Sequence, residues 1–392
     1  MPMLPKDLGT IRNAALGAIA PIRPADEASK ADKDFLLKAK RTKASHDLPP
    51  YYLIYFLLVD LLGFENLGRS EKVAWSVPID FNGCAFLIEH RKFGVGVFAH
   101  DPTSEEYQAQ QIVSLIKRGT RAAEPYYDWL ANCAMQQSTL NVVNKSDMLF
   151  CRFRYFLSAH TKAAQEAEKR ADECHVTRRE VRNSTVTHFE MPAFELRGNA
   201  RWLAVAAVDA FFSWTEHVFI HLAILRGTVK TGLEVADLAD TDWQSKFKRA
   251  LDIKNSTTKA LFDELVELRR QIRNFMAHGA FGKQGEAFSF HSGAGAVPLL
   301  LPHKRGKRRF AINDDLAIED ARALQLIDEF IQHLWSGDRE PAYYYIQKGG
   351  LPLILTYAQD GTYANAMRSV VSMKEFVDYL CAKWDMSANM DW

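Results

Sequence analysis

The sequence predicts a mainly α protein, in which a helical bundle with a hairpin insert is preceded by a small α/β domain. Segments with apolar residues at helical spacing dominate the second half of the chain. In the first half, short strand-like runs cluster around Asn82-Gly83, a dipeptide typical of hairpin turns. At 392 residues the chain also exceeds the usual size of one domain.

Changes in composition divide the chain into five predicted segments. They are a charged, partly disordered lead-in (1–45), the small α/β domain (46–135), a helical connector (136–192), the bundle (193–340) and a C-terminal α/β appendage (341–392).

The predicted elements of the small α/β domain follow from local signals. Pro49-Pro50 precede an apolar helix, and Thr103 and Glu106 have the spacing of a capping box that begins a second helix. The predicted strands of a meander are 73–80, 84–90 and 93–99.

In the bundle, Thr257 or Thr258 is expected to cap a helix that runs to Gly279. The other predicted helices are 199–225, 242–251 and 316–335, and the strand-like segments of the insert are 287–290, 297–301 and 308–312.

Composition restricts the class of protein. Hydrophobic residues make up 47% and charged residues 25%, which is ordinary for a soluble globular chain, and the net charge of +1 requires any nucleic-acid binding to come from local patches. Five scattered cysteines without a Cys-x2-Cys pair argue against a disulfide framework or a zinc site, and we expect no cofactor. The longest apolar run, 51–62, is too short for a membrane span and contains Asp60, and no signal-peptide pattern is evident. We therefore expect a cytoplasmic protein.

One heptad contains side chains suited to catalysis on a phosphodiester: Arg273-Asn274-Phe275-Met276-Ala277-His278-Gly279. A guanidinium binds phosphate oxygens in a planar fork, and a histidine can transfer a proton near neutral pH. The Arg-x4-6-His spacing is not specific by itself, because four other pairs in the chain share it: Arg41/His46, Arg154/His160, Arg170/His175 and Arg182/His188. Only the Arg273 pair combines an adjacent Asn, a well-patterned preceding helix and a following Gly.

A helical wheel separates the residues of this segment. At about 100° per residue, Asn274 and His278 share a face, so the amide can orient the imidazole. Arg273 stands about 140° from His278, which favours a dimer with a composite site. The apolar stripe is Leu261, Leu265, Leu268, Ile272, Phe275 and Met276, and the polar stripe is Asp263, Glu267, Arg270, Asn274 and His278. The alternative interpretation is an ordinary helix terminus, at which Asn, Gly, Arg and His are all favoured.

A polar line crosses an otherwise apolar neighbouring helix. It consists of Asp209, Ser213 and Glu216. Polar groups on such a helix need partners, and the face with Arg273 and His278 could supply them. A solvent-facing stripe would explain the same pattern.

Taken together, a Glu-bearing apolar helix, a short helix, an Arg-Asn-x3-His-Gly helix and a closing helix resemble the HEPN family of helical bundles. The resemblance covers about 194–335, and the insert between Gly279 and Leu316 is long for a plain bundle. It implies that Arg273, Asn274 and His278 are the motif residues and that Glu216 is the acidic residue of the partner helix. It also implies a metal-independent endoribonuclease with a homodimeric site.

Two further clusters have alternative interpretations. The basic residues Lys304, Arg305, Lys307, Arg308 and Arg309 could hold an RNA backbone, or could form a solvated turn. His217 and His221 have the i,i+4 spacing of a metal pair, but no third ligand is offered at a matching interval, so core or surface histidines are favoured.

The leading hypothesis is an RNA-cleaving toxin or phage-defence effector. The second is a non-catalytic HEPN-like dimer that serves as a binding or sensor module.

Overall fold

The computed structural model describes residues 7–26, 29, 33–181, 184–278, 288–299, 312 and 320–388. Within them the protein is mainly helical, with small antiparallel sheets, as the sequence predicts. The chain divides into two compact units, unit 1 (1–137 and 383–392) and unit 2 (138–382).

Unit 1 combines helices with a five-stranded sheet. Its helices are α1 (Leu8–Ile19), α2 (Lys33–Lys38), α3 (Tyr51–Tyr55), α4 (Glu106–Ala122) and α5 (Glu124–Gln137), with a π-helical turn over Phe56–Leu61. Its strands are β1 (Arg23–Pro24), β2 (Lys40–Arg41), β3 (Val73–Phe81), β4 (Cys84–Arg91) and β5 (Gly94–Ala99).

The strands are ordered β1-β3-β4-β5-β2, so the predicted meander lies at the centre of the sheet. Asn82 and Gly83 both have positive φ (55° and 82°), as the tight turn between β3 and β4 requires.

Two details of unit 1 differ from the sequence prediction. The described residues among the first 45 do not form a separate lead-in, because α1 buries Ala15 and Ile19 in the core of the unit, and β1 and β2 form the sheet edges. Thr103 does not cap α4, which begins at Glu106. The Glu106 carboxylate instead accepts hydrogen bonds from the backbone N–H groups of Lys43 and Ala44, at 2.9 and 2.7 Å.

Unit 2 is built around one long helix, α7 (Pro192–Leu225). The other helices are α6 (Ser146–Lys169), α8 (Gly232–Asp240), α9 (Trp243–Ala250), α10 (Ser256–His278), α11 (Asp320–Leu334), α12 (Glu340–Tyr343), α13 (Leu355–Gln359), α14 (Thr362–Ala366) and α15 (Val370–Ala388). The last residues of α15, from 383 onwards, belong to unit 1. The strands are β6 (Asn141–Val142), β7 (His175–Val181), β8 (Ser184–Glu190), β9 (Phe288–Ser292), β10 (Gly295–Leu299) and β11 (Leu353–Ile354). The hairpin insert is thus present as β9 and β10, whereas 308–311 lie outside the described residues.

Parts of the predicted connector (138–169) and of the predicted appendage (341–382) belong to this core. Trp214 on α7 donates its indole N–H to Ser146 on α6 (3.0 Å), and the Ser146 hydroxyl donates to Gln347 (2.7 Å). Tyr345 and Tyr363 are buried in the same cluster as α7, and β11 pairs with β6. Residues from both ends of unit 2 therefore close one hydrophobic core.

By length and composition α7 could cross a membrane, and it is the one helix among the described residues that passes this test. However, 56% of its apolar window is buried inside the protein, as expected for the central helix of a bundle in water. All five cysteines are free thiols.

Gly119 on α4 provides a test of packing in unit 1. A Cβ at this position would collide with the side chains of Ile19 and Leu57, whereas a Cβ at the exposed Gly17 of α1 meets nothing within 4 Å. Alanine favours helix by about 1 kcal/mol over glycine, but overpacking costs about 1–3 kcal/mol. We expect Gly119→Ala to lower the melting temperature by about 2–4 °C.

The matched control is Gly17→Ala, which should leave the melting temperature unchanged or raise it. Thermal unfolding followed by circular dichroism compares the two variants. Equal stabilisation by both would contradict the close helix approach at Gly119.

Candidate functional site on helix α10

Helix α10 carries the heptad at its C-terminal end. Asn255 precedes the helix and accepts a hydrogen bond from the Thr258 N–H (3.0 Å), so the predicted caps at Thr257 and Thr258 are wrong. The Thr258 hydroxyl instead bonds His333 of α11, at 2.8 Å. The helical backbone continues through Arg273 and Asn274 to His278, whose side chains lie outside the described residues.

The described part of α10 has the predicted two-faced pattern. Its apolar stripe packs in the unit 2 core, and the buried residues of the stripe are Leu261, Leu265, Leu268 and Ile272. On the polar stripe, Asp263 pairs with Lys259, and Glu267 pairs with Arg270 at 2.7 Å. This stripe therefore faces solvent with its charges satisfied within the helix.

Glu216 is the point at which the polar line of α7 meets α10. Its carboxylate lies 3.5 Å from the Arg269 guanidinium on α10 and 3.7 Å from the Lys246 ammonium on α9. The Lys246 side chain is only 8% exposed, and Glu216 is about one-third exposed. One carboxylate thus joins three helices. Asp209 is exposed and Ser213 is half-buried, and among the side chains that the structure describes, Glu216 is the member of this line that forms an ion pair with α10.

Aromatic rings fix Arg269 in place. Its guanidinium lies 5.7 Å from the centre of the Phe212 ring and 5.8 Å from that of Trp243. Trp243 donates its indole N–H to the buried Thr215 hydroxyl (2.9 Å), which orients the ring. Cation–π attraction therefore adds to the ion pair with Glu216.

Sequence reasoning missed Lys246 and Arg269. A signal for Lys246 was present, because Trp243, Lys246, Phe247 and Ala250 have the i, i+3, i+4, i+7 spacing of a buried helix face. A lysine at such a position predicts a buried carboxylate partner. Arg269 lies one turn before Arg273, but no local pattern distinguishes it from Arg270.

Regular helix geometry relates the heptad to this cluster. Position 273 follows position 269 by one turn, about 6 Å along the axis and about 40° around it. Position 278 lies about 13.5 Å beyond 269 and about half a turn away. The backbone thus directs position 273 towards the side of Glu216 and position 278 towards the opposite side.

The histidine pair on α7 is engaged within the protein. His217 accepts a hydrogen bond at Nε2 from the Lys145 N–H (2.9 Å), and His221 donates from Nδ1 to the His217 carbonyl (2.9 Å). Burial lowers the pKa of His217 to about 3 and that of His221 to about 4. No group of three His, Cys, Asp or Glu side chains able to hold a metal occurs in the described part of the chain.

Residues Lys304, Arg305, Lys307, Arg308 and Arg309 lie outside the described residues. Family models, curated proteins and solved structures give no match to this chain. The HEPN resemblance therefore rests on the residues and the helix order given above.

Replacing Glu216 tests the three-helix cluster. In Glu216→Gln the buried ammonium of Lys246 loses its counter-charge, and we expect a loss of about 1–3 kcal/mol in unfolding free energy. Adding Lys246→Met removes the unpaired charge and should restore part of that loss. Urea denaturation of the wild type, both single variants and the double variant measures the coupling energy between Glu216 and Lys246.

The control is Glu195→Gln, at an exposed glutamate of the same helix, for which a change within about 0.5 kcal/mol is expected. If Glu216→Gln is equally silent, the cluster contributes nothing to stability.

The buried His221 predicts a pH dependence of stability. Its pKa is about 4 in the folded protein, against 6.5 ordinarily, so the unfolded chain binds more protons between these values. Stability is therefore lost as the pH falls below about 6.5, by about 2 kcal/mol from this residue at pH 5. Urea denaturation at several pH values between 7 and 5 gives the unfolding free energy at each pH. This free energy should fall less steeply with decreasing pH in His221→Gln than in the wild type.

The exposed His291 on β9 offers a matched control. His291→Gln should keep the wild-type slope. An unchanged slope in His221→Gln would show that this imidazole does not titrate as burial requires.

Proposed function

We propose that the protein is a HEPN-type, metal-independent endoribonuclease, acting in the cytoplasm as a toxin or phage-defence effector. One observation carries the proposal. Helix α10 continues unbroken through Arg273, Asn274 and His278, and Glu216 of α7 pairs with Arg269 one turn before the heptad. An acidic residue on the partner helix that contacts the motif helix is the arrangement that the family resemblance implies.

The reaction needs no group beyond RNA and these side chains. The 2′-oxygen attacks the adjacent phosphorus, its proton passes to a base, and the P–O5′ bond breaks as the departing 5′-oxygen takes up a proton from the conjugate acid of that base or from water. The products are a 2′,3′-cyclic phosphate and a 5′-hydroxyl. His278 would transfer the proton, and Arg273 would stabilise the negative charge that develops on phosphorus oxygens. Asn274, one turn before His278, would orient the imidazole.

Helix geometry supports a two-chain site. Positions 273 and 278 diverge by about 140° on one regular helix, so a second copy is the direct way to bring an arginine and a histidine to one phosphate. Within this proposal Glu216 positions α10 through Arg269, and the basic residues of 304–309 hold the RNA backbone. Unit 1 would restrain or target the activity.

A second candidate is a non-catalytic HEPN-like dimer that serves as a binding or sensor module. The observation in its favour is that Glu216 is already neutralised by Lys246 and Arg269. Such an ion pair suits a structural tie between helices as well as a catalytic scaffold.

The decisive variants are His278→Ala and Arg273→Ala. For an endoribonuclease, we expect RNA cleavage by the wild-type protein that survives a chelator, and a loss of at least about 100-fold in each variant. The measurements are total RNA after expression and end-group analysis of a defined RNA, with a cyclic phosphate expected.

His175→Ala is the control, because His175 is exposed and belongs to another Arg-x4-His pair. It should cleave as wild type does. Intact RNA with the wild-type protein contradicts the proposal, and so does cleavage that persists in His278→Ala. If the RNA stays intact and the protein is still a dimer, the result supports the binding module.

A further inference from the structure

The β7–β8 hairpin connects the C-terminal end of α6 to the N-terminal end of α7. Alanines line the seam between these helices, where Ala167, Ala193, Ala200 and Ala204 are buried. His160 on α6 donates from Nδ1 to the Ala200 carbonyl of α7, at 2.9 Å. We call residues 170–191, with the hairpin between the two helices, the arm.

The arm has no core of its own in the described part of the chain. Its sheet has two strands, and their register runs unshifted from His175↔Glu190 to Val181↔Ser184. Apolar side chains are exposed on both faces, with Val176 and Phe189 opposite each other on one face and Val186 on the other. An isolated two-stranded hairpin is marginal in water, so this one calls for a partner surface.

The hydrogen-bonding pattern shows which backbone groups are available. Only two residues connect Val181 and Ser184, so that pair must be a hydrogen-bonded one. Because hydrogen-bonded and non-hydrogen-bonded pairs alternate, Thr185, Thr187 and Phe189 direct their N–H and C=O groups away from β7.

The two edges of the arm differ in charge. Strand β7 carries Arg178, Arg179 and Glu180, and charged side chains discourage strand pairing. Strand β8 has no Asp, Glu, Lys or Arg from Ser184 to Phe189. It also shows no bulge or proline. An edge of this kind is a template for another strand.

We propose that the β8 edge binds β8 of a second copy of this chain, antiparallel and centred on Thr187. This register uses all seven residues of the strand and forms about six backbone hydrogen bonds. Val186 of each strand then faces His188 of the other, and Thr185 faces Phe189. Glu190 faces Ser184, so no like charges oppose each other, as an isologous pair requires.

Neighbouring apolar residues can enlarge this interface. Met191 directly follows β8 and Phe194 lies in the first turn of α7, and they are 56% and 81% exposed. A specific interface buries at least about 1,200 Å², more than a strand edge alone provides, so these side chains would supply part of the area. The inference is independent of RNA cleavage, because it uses no residue of the heptad.

Two proline variants of the full-length protein test the assignment. Thr187 and Arg178 form one cross-strand pair, and each directs its N–H away from the hairpin, towards opposite edges. Proline at either position spares the hydrogen bonds within the hairpin and removes one outward donor. We expect the wild-type protein to dimerise, Thr187→Pro to weaken the dimer at least about ten-fold, and Arg178→Pro to dimerise as wild type does.

Analytical ultracentrifugation over a concentration series gives the dissociation constants. Thr187→Val, which keeps the backbone N–H, should also dimerise normally. A dimer that is as tight in Thr187→Pro as in the wild type overturns the pairing through β8 and leaves the composite site on α10 as the interface. Equal loss in Arg178→Pro overturns the choice of the β8 edge. A wild-type protein that stays monomeric, including one that associates only when RNA is added, overturns the pairing of two copies.

Discussion

The burial of α7 is the constraint on which unit 2 depends. This 34-residue helix is apolar around much of its circumference, and α6, α9, α10 and α11 each pack against it. Aromatic rings fill the contacts: Phe211, Phe219, Trp243, Phe247 and Phe330 form a connected group. Polar groups on a helix buried on most sides need partners, because an unpaired group keeps its desolvation cost without compensation. Thr215, Glu216 and His217 each meet a group of another element, whereas His221 bonds within α7 and its Nε2 atom is buried without a hydrogen-bond partner.

This constraint connects packing with the candidate site. Thr215 orients Trp243, Trp243 and Phe212 border the Arg269 guanidinium, and Glu216 pairs with Arg269. The rotation of α10 is thereby set one turn before the heptad. The cluster thus ties α7, α9 and α10 together at this point.

The end of α7 next to the arm is packed much less than the rest of the helix. From Trp214 onwards most residues of α7 are buried, whereas its first turns pack on α6 through small alanines and Phe194 is exposed. An alanine seam buries little apolar area per residue, so it stabilises a helix pair weakly. The arm, none of whose described residues belongs to the unit 2 core, thus also has an open strand edge without Asp, Glu, Lys or Arg from Ser184 to Phe189.

Local pattern determined much of this protein from the sequence by itself. The period of apolar residues gave the buried stripe of α10, and the Asn-Gly dipeptide with β-branched runs gave the central meander, because both signals lie within about ten consecutive residues. The tertiary structure decided the rest. It placed α1 in the core of unit 1 and residues 341–382 in the core of unit 2, and it paired Glu216 with Arg269 and Lys246. Those partners are separated from Glu216 by 53 and 30 positions, and an ion pair between distant helices depends on how the helices pack, which periodicity within one helix does not specify.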